Sequence, residues 1–599
     1  MDDLSALNGS ADRAARMLSR RQMLRGLAVI TSTSALGQIL TACGGSTAAT
    51  PTTAAQAPAT TSAAPGTAPA ATKAAAAATS PAGSPATTAV AGTTSAAVQL
   101  PTVAAASGNA KPGGKVTWAM SYDAQSLAPF GIVFSGNTEG KELLYDSLLQ
   151  WDRQLNVLPA LADEWSTPDE KTYLFKLKKG VKFHSGKELD AEDVKYSVEL
   201  QAKPPAPAVT APYYPLIASV DAVDKYTAKF NMTGPDPTVL GWFAWSRYSS
   251  IVPKGFYESG KNVTAEADGT GPFKLVKYTP NDQIVLTKNA DFWKKGVPYL
   301  DDLSFKILPD ESSRVAALRS GNVDGADVSA DVARTLSRDS NLVVLRGITS
   351  SPRVLQLTIK GDGKPWGDKR VRQAMSKAID RQDLIDKVYG GNAELTGPIA
   401  PGYGNWPLPN DTLKKAYAYD PDGARKLLAD AGFKDGFEFQ INTLSAADYP
   451  NLAQVLQEQF KKVGIQVKIV PEESAIFSKR YTDGTFEGFL NGKGMRADPT
   501  GFVVEFADFQ TSLGKVWFAE GKGWHNDELT KQYQAATVTL DQKQRLPQIQ
   551  RAQELILDEA PNIYLVVPYV YTVVQKRVKD MYVSFTGFRP GLRETWLDK

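Results

Sequence analysis

Beyond residue 110 the chain switches repeatedly between two hydrophobic periods. Tyr173, Phe175 and Leu177 recur at every second position, the period of a strand with one buried face. Lys178-Lys179-Gly180 reads as a turn after it, with a return strand opening on Val181 and Phe183. Residues 115–120 read as a strand, and Ile465, Val467 and Ile469 mark another. Helical spacing appears where Val194, Ser197 and Val198 follow Asp190, an N-cap with Asp193 three residues on. Val371, Ala374, Met375, Ala378 and Ile379 form an apolar stripe. Asp420-Pro421 supplies an N-cap and an N1 proline, and Gly432 closes that helix. Residues 450–463 make a further helix, stopped by Gly464. Helices and strands alternate without an internal repeat, which is the α/β class.

Before residue 110 neither period is found. Residues 44–110 carry one charge, Lys73, and no aromatic side chain, so they cannot bury enough apolar surface to offset chain entropy. Scattered prolines, among them Pro51, Pro58, Pro65 and Pro81, prevent one long alanine-rich helix. This is the composition of a disordered linker; a leash of about 65 residues spans roughly 45 Å. Its Thr/Ser/Pro content also fits a mucin-like glycosylated stalk. Ser19-Arg20-Arg21-Gln22-Met23-Leu24-Arg25 is a twin-arginine pattern, and residues 26–40 form a weakly apolar run too short to span a bilayer. The run ends in Leu40-Thr41-Ala42-Cys43-Gly44, which resembles the bacterial lipobox. The resemblance implies a signal peptide over 1–43 and acylation of Cys43, with anchoring to the outer face of the cell membrane. More than one acyl chain is needed for stable attachment.

Composition narrows the chemistry. The chain has 599 residues, a formal charge of +3, one cysteine and two histidines, His184 and His525. The globular part is too long for one core and suggests two or three lobes. No basic block tracks a phosphate backbone, so nucleic acid is not an expected partner. One cysteine excludes an internal disulfide, and two scattered histidines supply neither a zinc cluster nor a triad. No phosphate-cradling loop is present. No cofactor is expected, and no enzymatic activity.

Several stretches then fall in a recognisable order. Leu161-Ala162-Asp163-Glu164-Trp165, the run from Tyr173 through Gly180 to His184, and Ala191-Glu192-Asp193-Val194 closely resemble the signature of family 5 extracellular solute-binding proteins. Gly269-Thr270-Gly271-Pro272-Phe273, Asn289-Ala290-Asp291-Phe292-Trp293, Ala317-Leu318-Arg319-Ser320-Gly321, Val371-Arg372-Gln373-Ala374 and Tyr419-Asp420-Pro421 continue the match. The resemblance implies a periplasmic-binding-protein-like type II fold, with two lobes that close by hinge motion and an extra domain. One lobe is expected from 112–135, 269–345 and 567–599, the extra domain from 136–268, and the second lobe from 346–566.

The resemblance also guides the search for the site. Family members hold peptides through backbone hydrogen bonds and hydrated side-chain pockets. The aspartate that pairs with a ligand amino group falls, by the family's spacing before proline, at Met495 in Gly494-Met495-Arg496-Ala497-Asp498-Pro499. Either Asp498 takes that role through a shifted loop, or the ligand offers no free amino terminus. Arg353, at the head of a strand over 354–359, is a candidate for a ligand carboxylate, its alternative being a surface arginine. Tyr122 and Asp123 follow the first strand, at a lobe edge. Tyr403 and Trp406 lie in a Gly/Pro-rich loop over 397–409 and either stack on a ligand or cap a core. Trp242, Phe243 and Trp245 read as core, with Arg247 a further charged candidate. His184 reads as a structural polar contact.

The expected function is a monomeric, membrane-tethered substrate-binding component of an ABC importer, working with permease subunits and their ATPases. An oligopeptide is the first ligand, an oligosaccharide the second, a metal chelate the third. An extracytoplasmic enzyme or a sensor lipoprotein is the alternative.

Overall fold

Trp118 sits at the centre of the largest sheet. Lys115–Met120 pairs in parallel with Asp302–Ile307, setting Trp118 opposite Phe305, and on its other side with Gly325–Val328. Trp118 is wholly buried, and a Cβ on the neighbouring Gly325 would lie 2.3 Å from its ring, so the close packing requires glycine there. The computed structural model describes residues 110–598 apart from 125, 131–139, 154, 204–212, 508–511, 520–522 and 586–588. The twin-arginine pattern, Cys43 and the linker up to residue 109 lie outside the described residues. Among the described residues, no helix is long and apolar enough to cross a membrane.

Three main sheets organise the chain. The first has eight strands, in the order Leu342–Ile348, Val566–Gln575, Gly325–Val328, Lys115–Met120, Asp302–Ile307, Gln283–Lys288 and Phe273–Thr279, with Ala393–Leu395 added against Val566–Gln575. The second has five, Ile465–Glu472, Phe437–Leu444, Gly488–Gly492, Arg353–Leu357 and Asn562–Tyr564. The third has four antiparallel strands, Ala162–Asp169, Thr172–Leu177, Thr227–Met232 and Ile217–Asp224. Its core is aromatic, with Phe243 meeting Phe175, Phe230 and Tyr213 edge-on at 4.9–5.6 Å.

The helices follow the apolar spacing. Ala191–Glu199 opens on Asp190, whose carboxylate accepts from the Glu192 and Asp193 amides while Asp193 reaches back to the Asp190 amide. Such a cap contributes about 1 kcal/mol. Lys369–Lys377, Pro421–Asp430 and Tyr449–Lys461 form the expected helices, and Gly432 and Gly464 take left-handed φ of 92° and 91° just past the last two. The expected return strand at Val181 does not form. Both edges of Thr172–Leu177 are already taken, by Ala162–Asp169 and Thr227–Met232. Val181 and Phe183 are buried, but their backbone closes on itself, Phe183 N–H donating to Lys187 C=O and Leu189 N–H to Val181 C=O, each at 2.8 Å.

The chain passes between the first two sheets at two adjacent places. Leu342–Ile348 leads through residues 349–352 into Arg353–Leu357, and Asn562–Tyr564 leads through Leu565 into Val566–Gln575. The crossings run antiparallel side by side, with Val354 opposite Tyr564 and the Leu565 amide donating to the Arg353 carbonyl at 3.0 Å. Two short adjacent connections of this kind absorb rotation at a few backbone dihedrals, the construction of a hinge.

Candidate functional site

A cavity of about 470 Å³ opens where the four-stranded sheet and its helices face the half built on the five-stranded sheet. One wall carries Trp151, Trp165, Tyr173 and Leu240. Period-2 spacing places Trp165 and Tyr173 on paired strands, and Trp151 ends the short strand Leu149–Trp151. The other wall carries Tyr403, Trp406, Asp498 and Arg545. These come from the 397–409 loop, from the turn before Pro499–Phe502, and from the start of the helix Gln542–Glu559.

The two walls meet at their margin. A Cβ on Gly241, in the helix Val239–Phe243, would lie 2.1 Å from the Ala497 carbonyl oxygen. Trp245 packs with Ala497 and Met495 beside this point. Across the other approach Gly402, at φ 106°, lies against the Phe585 ring, where a Cβ would be 2.4 Å away. Tyr403 meets Phe585 and Phe502 edge-on at 4.8 and 5.1 Å. The cavity is therefore seen with its walls closed together.

Charge is concentrated on the second wall. The Arg545 guanidinium grips Asp498, Nη1 donating to Oδ2 at 2.8 Å and Nη2 to Oδ1, while its Nε donates to the Ala536 carbonyl at 2.9 Å. Asp498 Oδ1 also accepts from the Thr500 amide at 2.9 Å and the Thr500 hydroxyl at 2.6 Å. Burial alone would raise the Asp498 pKa; Arg545 and Thr500 overcome it and hold the carboxyl below its usual range. Asp236, from the first wall's half, feels the pair: burial first, then the Asp498 charge, push its pKa up. The Asp236 carboxyl itself accepts from the Thr238 amide at 2.7 Å. Arg545 also lies 5.4 Å over the Trp406 ring.

The sequence candidates fall in several places. Tyr403, Trp406 and Asp498 come together on one wall of the cavity. Tyr403 is buried rather than exposed; its hydroxyl donates to the Arg496 carbonyl at 2.8 Å and accepts from the Arg496 amide at 2.9 Å. Met495 packs beside the wall, against Trp245 and Ala497, and does not line the cavity. Arg353 lies away from it, bound to Asp448 at 2.7 and 3.0 Å and to the Ser351 carbonyl at 3.1 Å, next to the chain crossing. Asp123 is buried and accepts from the Tyr278 hydroxyl at 2.8 Å and the Asn281 amide at 3.1 Å, while Tyr122 is 42% exposed. Arg247 lies over the Trp245 and Tyr248 rings at 5.6 and 5.1 Å. Phe243 and Trp245 are core, with Trp242 half-buried. His184 Nε2 is 3.1 Å from the Gly271 carbonyl, and burial lowers its pKa.

Several cavity residues escaped the sequence reading as site candidates, among them Trp151, Trp165 and Arg545. Trp151 and Trp165 belong to strands whose faces are decided by pairing far along the chain. Arg545 left a signal: it heads the buried stripe Arg545, Ile549, Ala552, Ile556, and an arginine on an apolar helical face needs an acid to meet it.

The fold has known counterparts. The family model for "Bacterial extracellular solute-binding proteins, family 5 Middle" matches residues 156–512. The dipeptide-binding protein of Escherichia coli is 30% identical over 482 residues, 74% of this chain and 87% of the relative. The heme-binding protein A of Haemophilus influenzae is 28% identical over 486 residues, again 74% of this chain, and 85% of the relative. Among solved structures, an ABC transporter-associated periplasmic binding protein from Helicobacter pylori, in complex with the peptide STSA, superposes with a TM-score of 0.65 at 28% identity, covering 82% of this chain and 99% of its own. The fold is that of the type II periplasmic binding proteins. The family model spans more than half of the chain, and the chain belongs to the family 5 bacterial extracellular solute-binding proteins.

Proposed function

We propose that the protein is the lipid-anchored solute receptor of an ABC importer. It captures an oligopeptide between its closing halves, delivers it unchanged to permease subunits driven by their ATPases, and performs no chemistry on it. The observation that carries this reading is the aromatic-lined cavity of about 470 Å³, closed between two bodies that twin strand crossings allow to swing apart. Ligand pockets of this kind are largely apolar with a few convergent polar groups. Asp498, the carboxylate in the cavity lining, is proposed to meet an ammonium of the solute. Tyr403, Trp406 and Asp498 are the proposed direct contacts; Met495 and Arg247 shape the adjoining surface, Arg353 is assigned a supporting position beside the chain crossing, and Tyr122 and Asp123 one at a lobe edge. The lobes are proposed at 112–135, 269–345 and 567–599, and at 346–566, with an extra domain at 136–268 and a monomeric state. The separation into eight-, five- and four-stranded sheets supports that division.

The deciding experiment is native mass spectrometry of protein purified from its source, followed by a thermal-shift screen with peptides. A ligand at a hundred times Kd stabilises by about 2.7 kcal/mol. The expected result is a co-purifying peptide, recovered uncleaved; a hydrolysed product or no peptide response would overturn the reading. One observation favours a second ligand class: Trp151, Trp165, Tyr173 and Trp406 surround a single cavity, and such rings stack on sugars. Neutral oligosaccharides belong in the same screen.

The anchor has its own test. Export by the twin-arginine route and acylation at Cys43 predict that Cys43→Ser moves the protein from the membrane fraction to a soluble extracytoplasmic one. Retention of the variant in membranes would show that another segment holds it there.

A further inference from the structure

A second cavity, of about 90 Å³, adjoins the main one. Trp151 and Leu155 line both, so the two meet at the turn of the hairpin that joins Leu149–Trp151 to Val157–Pro159. Leu155 is half-buried and packs against the core that contains Tyr403 and Phe585, of which Tyr403 lines the main cavity and Phe585 the smaller one. Its backbone stands at φ 62°, in the left-handed region that a residue with a Cβ rarely adopts. The turn fixes it there. Leu155 N–H donates to the Asp152 carbonyl at 3.2 Å, and Asp152 N–H to the Asn156 carbonyl at 3.0 Å. The Asp152 carboxylate accepts from the Asn156 amide and Nδ2 at 2.8 and 2.9 Å. Glycine or asparagine would take this conformation with less strain, so a leucine here is explained by where it puts its side chain.

The smaller cavity carries charge on its wall, and each charge is already matched. Asp146 holds Arg593 at 2.7 Å and accepts from the Thr270 hydroxyl and Trp293 Nε1, both at 2.9 Å. Arg593 also donates to the Glu142 and Tyr145 carbonyls at 2.8 and 3.0 Å. Arg153 lies 4.2 Å over the Tyr582 ring, and Glu142 faces Arg247. Leu149, Ala160, Ala244, Phe585 and Pro590 make much of the remaining wall apolar. Ser147 differs from all of these. It lines the cavity, is 3% exposed, and among the described residues nothing hydrogen-bonds its hydroxyl. We propose that this cavity is a second subsite for the captured solute, taking one uncharged side group with a hydroxyl or an amide, and that Leu155 is the partition that sets how large the group can be. A charged group would enter without a counter-charge, because every ion here has its own. A neutral one meets apolar side chains and the Ser147 hydroxyl, whose burial without a partner is unfavourable until such a group arrives. The volume suits a few waters or one short side group. The subsite rests on the solute-receptor reading, but not on the solute being a peptide.

The test uses the whole folded protein and two kinds of probe, the first independent of the solute's class. Leu155→Gly keeps the left-handed turn, which glycine adopts readily, and joins the two cavities. Cyclohexanol, a small ring with one hydroxyl, should then raise the melting temperature of Leu155→Gly by several degrees and leave the parent and Leu155→Phe unmoved. Ser147→Ala without any probe should melt no lower than the parent, since the hydroxyl removed had no partner; a clear fall would make Ser147 a structural residue and remove it from the subsite. The second probe is tetra-alanine with one residue at a time replaced by threonine, valine or tyrosine. At one position the parent should bind the threonine peptide at least tenfold more tightly than the tyrosine peptide, and Leu155→Gly should narrow that ratio below threefold. The parent should also favour threonine over the similarly shaped valine there, and Ser147→Ala should lose that preference. No cyclohexanol response in Leu155→Gly, or a threonine-to-tyrosine ratio equal in parent and variant, overturns the subsite. If cyclohexanol discriminates but no peptide binds, the subsite stands and the peptide ligand falls.

Discussion

Arg545→Met should destabilise the protein by about 3–5 kcal/mol, the cost of leaving a buried charge without its partner. The charge left behind is Asp498, whose side chain is 12% exposed and which would keep only Thr500 as donor. Methionine replaces much of the arginine stem, so the loss comes from the charge rather than from volume. Asp498→Asn should cost less, because Arg545 keeps its bond to the Ala536 carbonyl and an amide still accepts from Thr500. The double variant should be closer to the parent than the sum of the two, giving a coupling of about 2 kcal/mol or more in a denaturation cycle. Additive effects would mean that the pair is not the buried, mutually dependent unit described above. The sign of the pH dependence follows. The native Asp498 pKa is lowered, so the stability it contributes is full above the ordinary carboxylate range and is lost as pH falls through the lowered value. In acid the parent should lose stability through this pair, and Asp498→Asn should show less of that loss.

The same pair marks the limit of what the sequence could tell. Elements whose geometry is local were legible: the Asp190 capping box, the Asp420-Pro421 start, the glycine after Tyr449–Lys461, and the alternating strand Ile465–Glu472. Each is decided by residues within a turn or two of itself. Val181 misled because a strand needs a free edge, and the edges of Thr172–Leu177 are filled from positions up to 59 residues away, as in the pair Thr172 and Asn231. Tyr403, Trp406 and Asp498 were legible as candidates because loop aromatics and an Asp-Pro turn stand out. That they share a cavity with Trp151 and Arg545 depends on how separate chain segments pack, which no local period encodes. Arg353 was read as a charge awaiting a ligand; it already holds Asp448, 95 residues away.

Gly241→Ala should leave the free protein as stable as the parent or slightly more so, and should weaken solute binding at least tenfold. The two effects separate because they arise in different states. Gly241 is helical without a left-handed φ, and alanine in a helix is favoured over glycine by about 1 kcal/mol. With the halves apart, the added methyl has open space. With them closed, it would stand 2.1 Å from the Ala497 carbonyl oxygen, an approach that real Cβ atoms do not make. Ala497 cannot retreat alone: Arg496 before it is bonded through its backbone to the Tyr403 hydroxyl, and Asp498 after it is held by Arg545. Tyr403 in turn is wedged against Phe585. Relief must come from the halves themselves staying apart, which removes the second wall from the solute. A tenfold loss corresponds to about 1.4 kcal/mol of closure energy. Small-angle scattering with saturating ligand should show the parent contracting and the variant keeping a larger radius of gyration. Tight binding with full contraction in Gly241→Ala would mean that the Gly241–Ala497 approach is not part of the ligand-bound state, and the closed cavity would lose its claim to be the solute site.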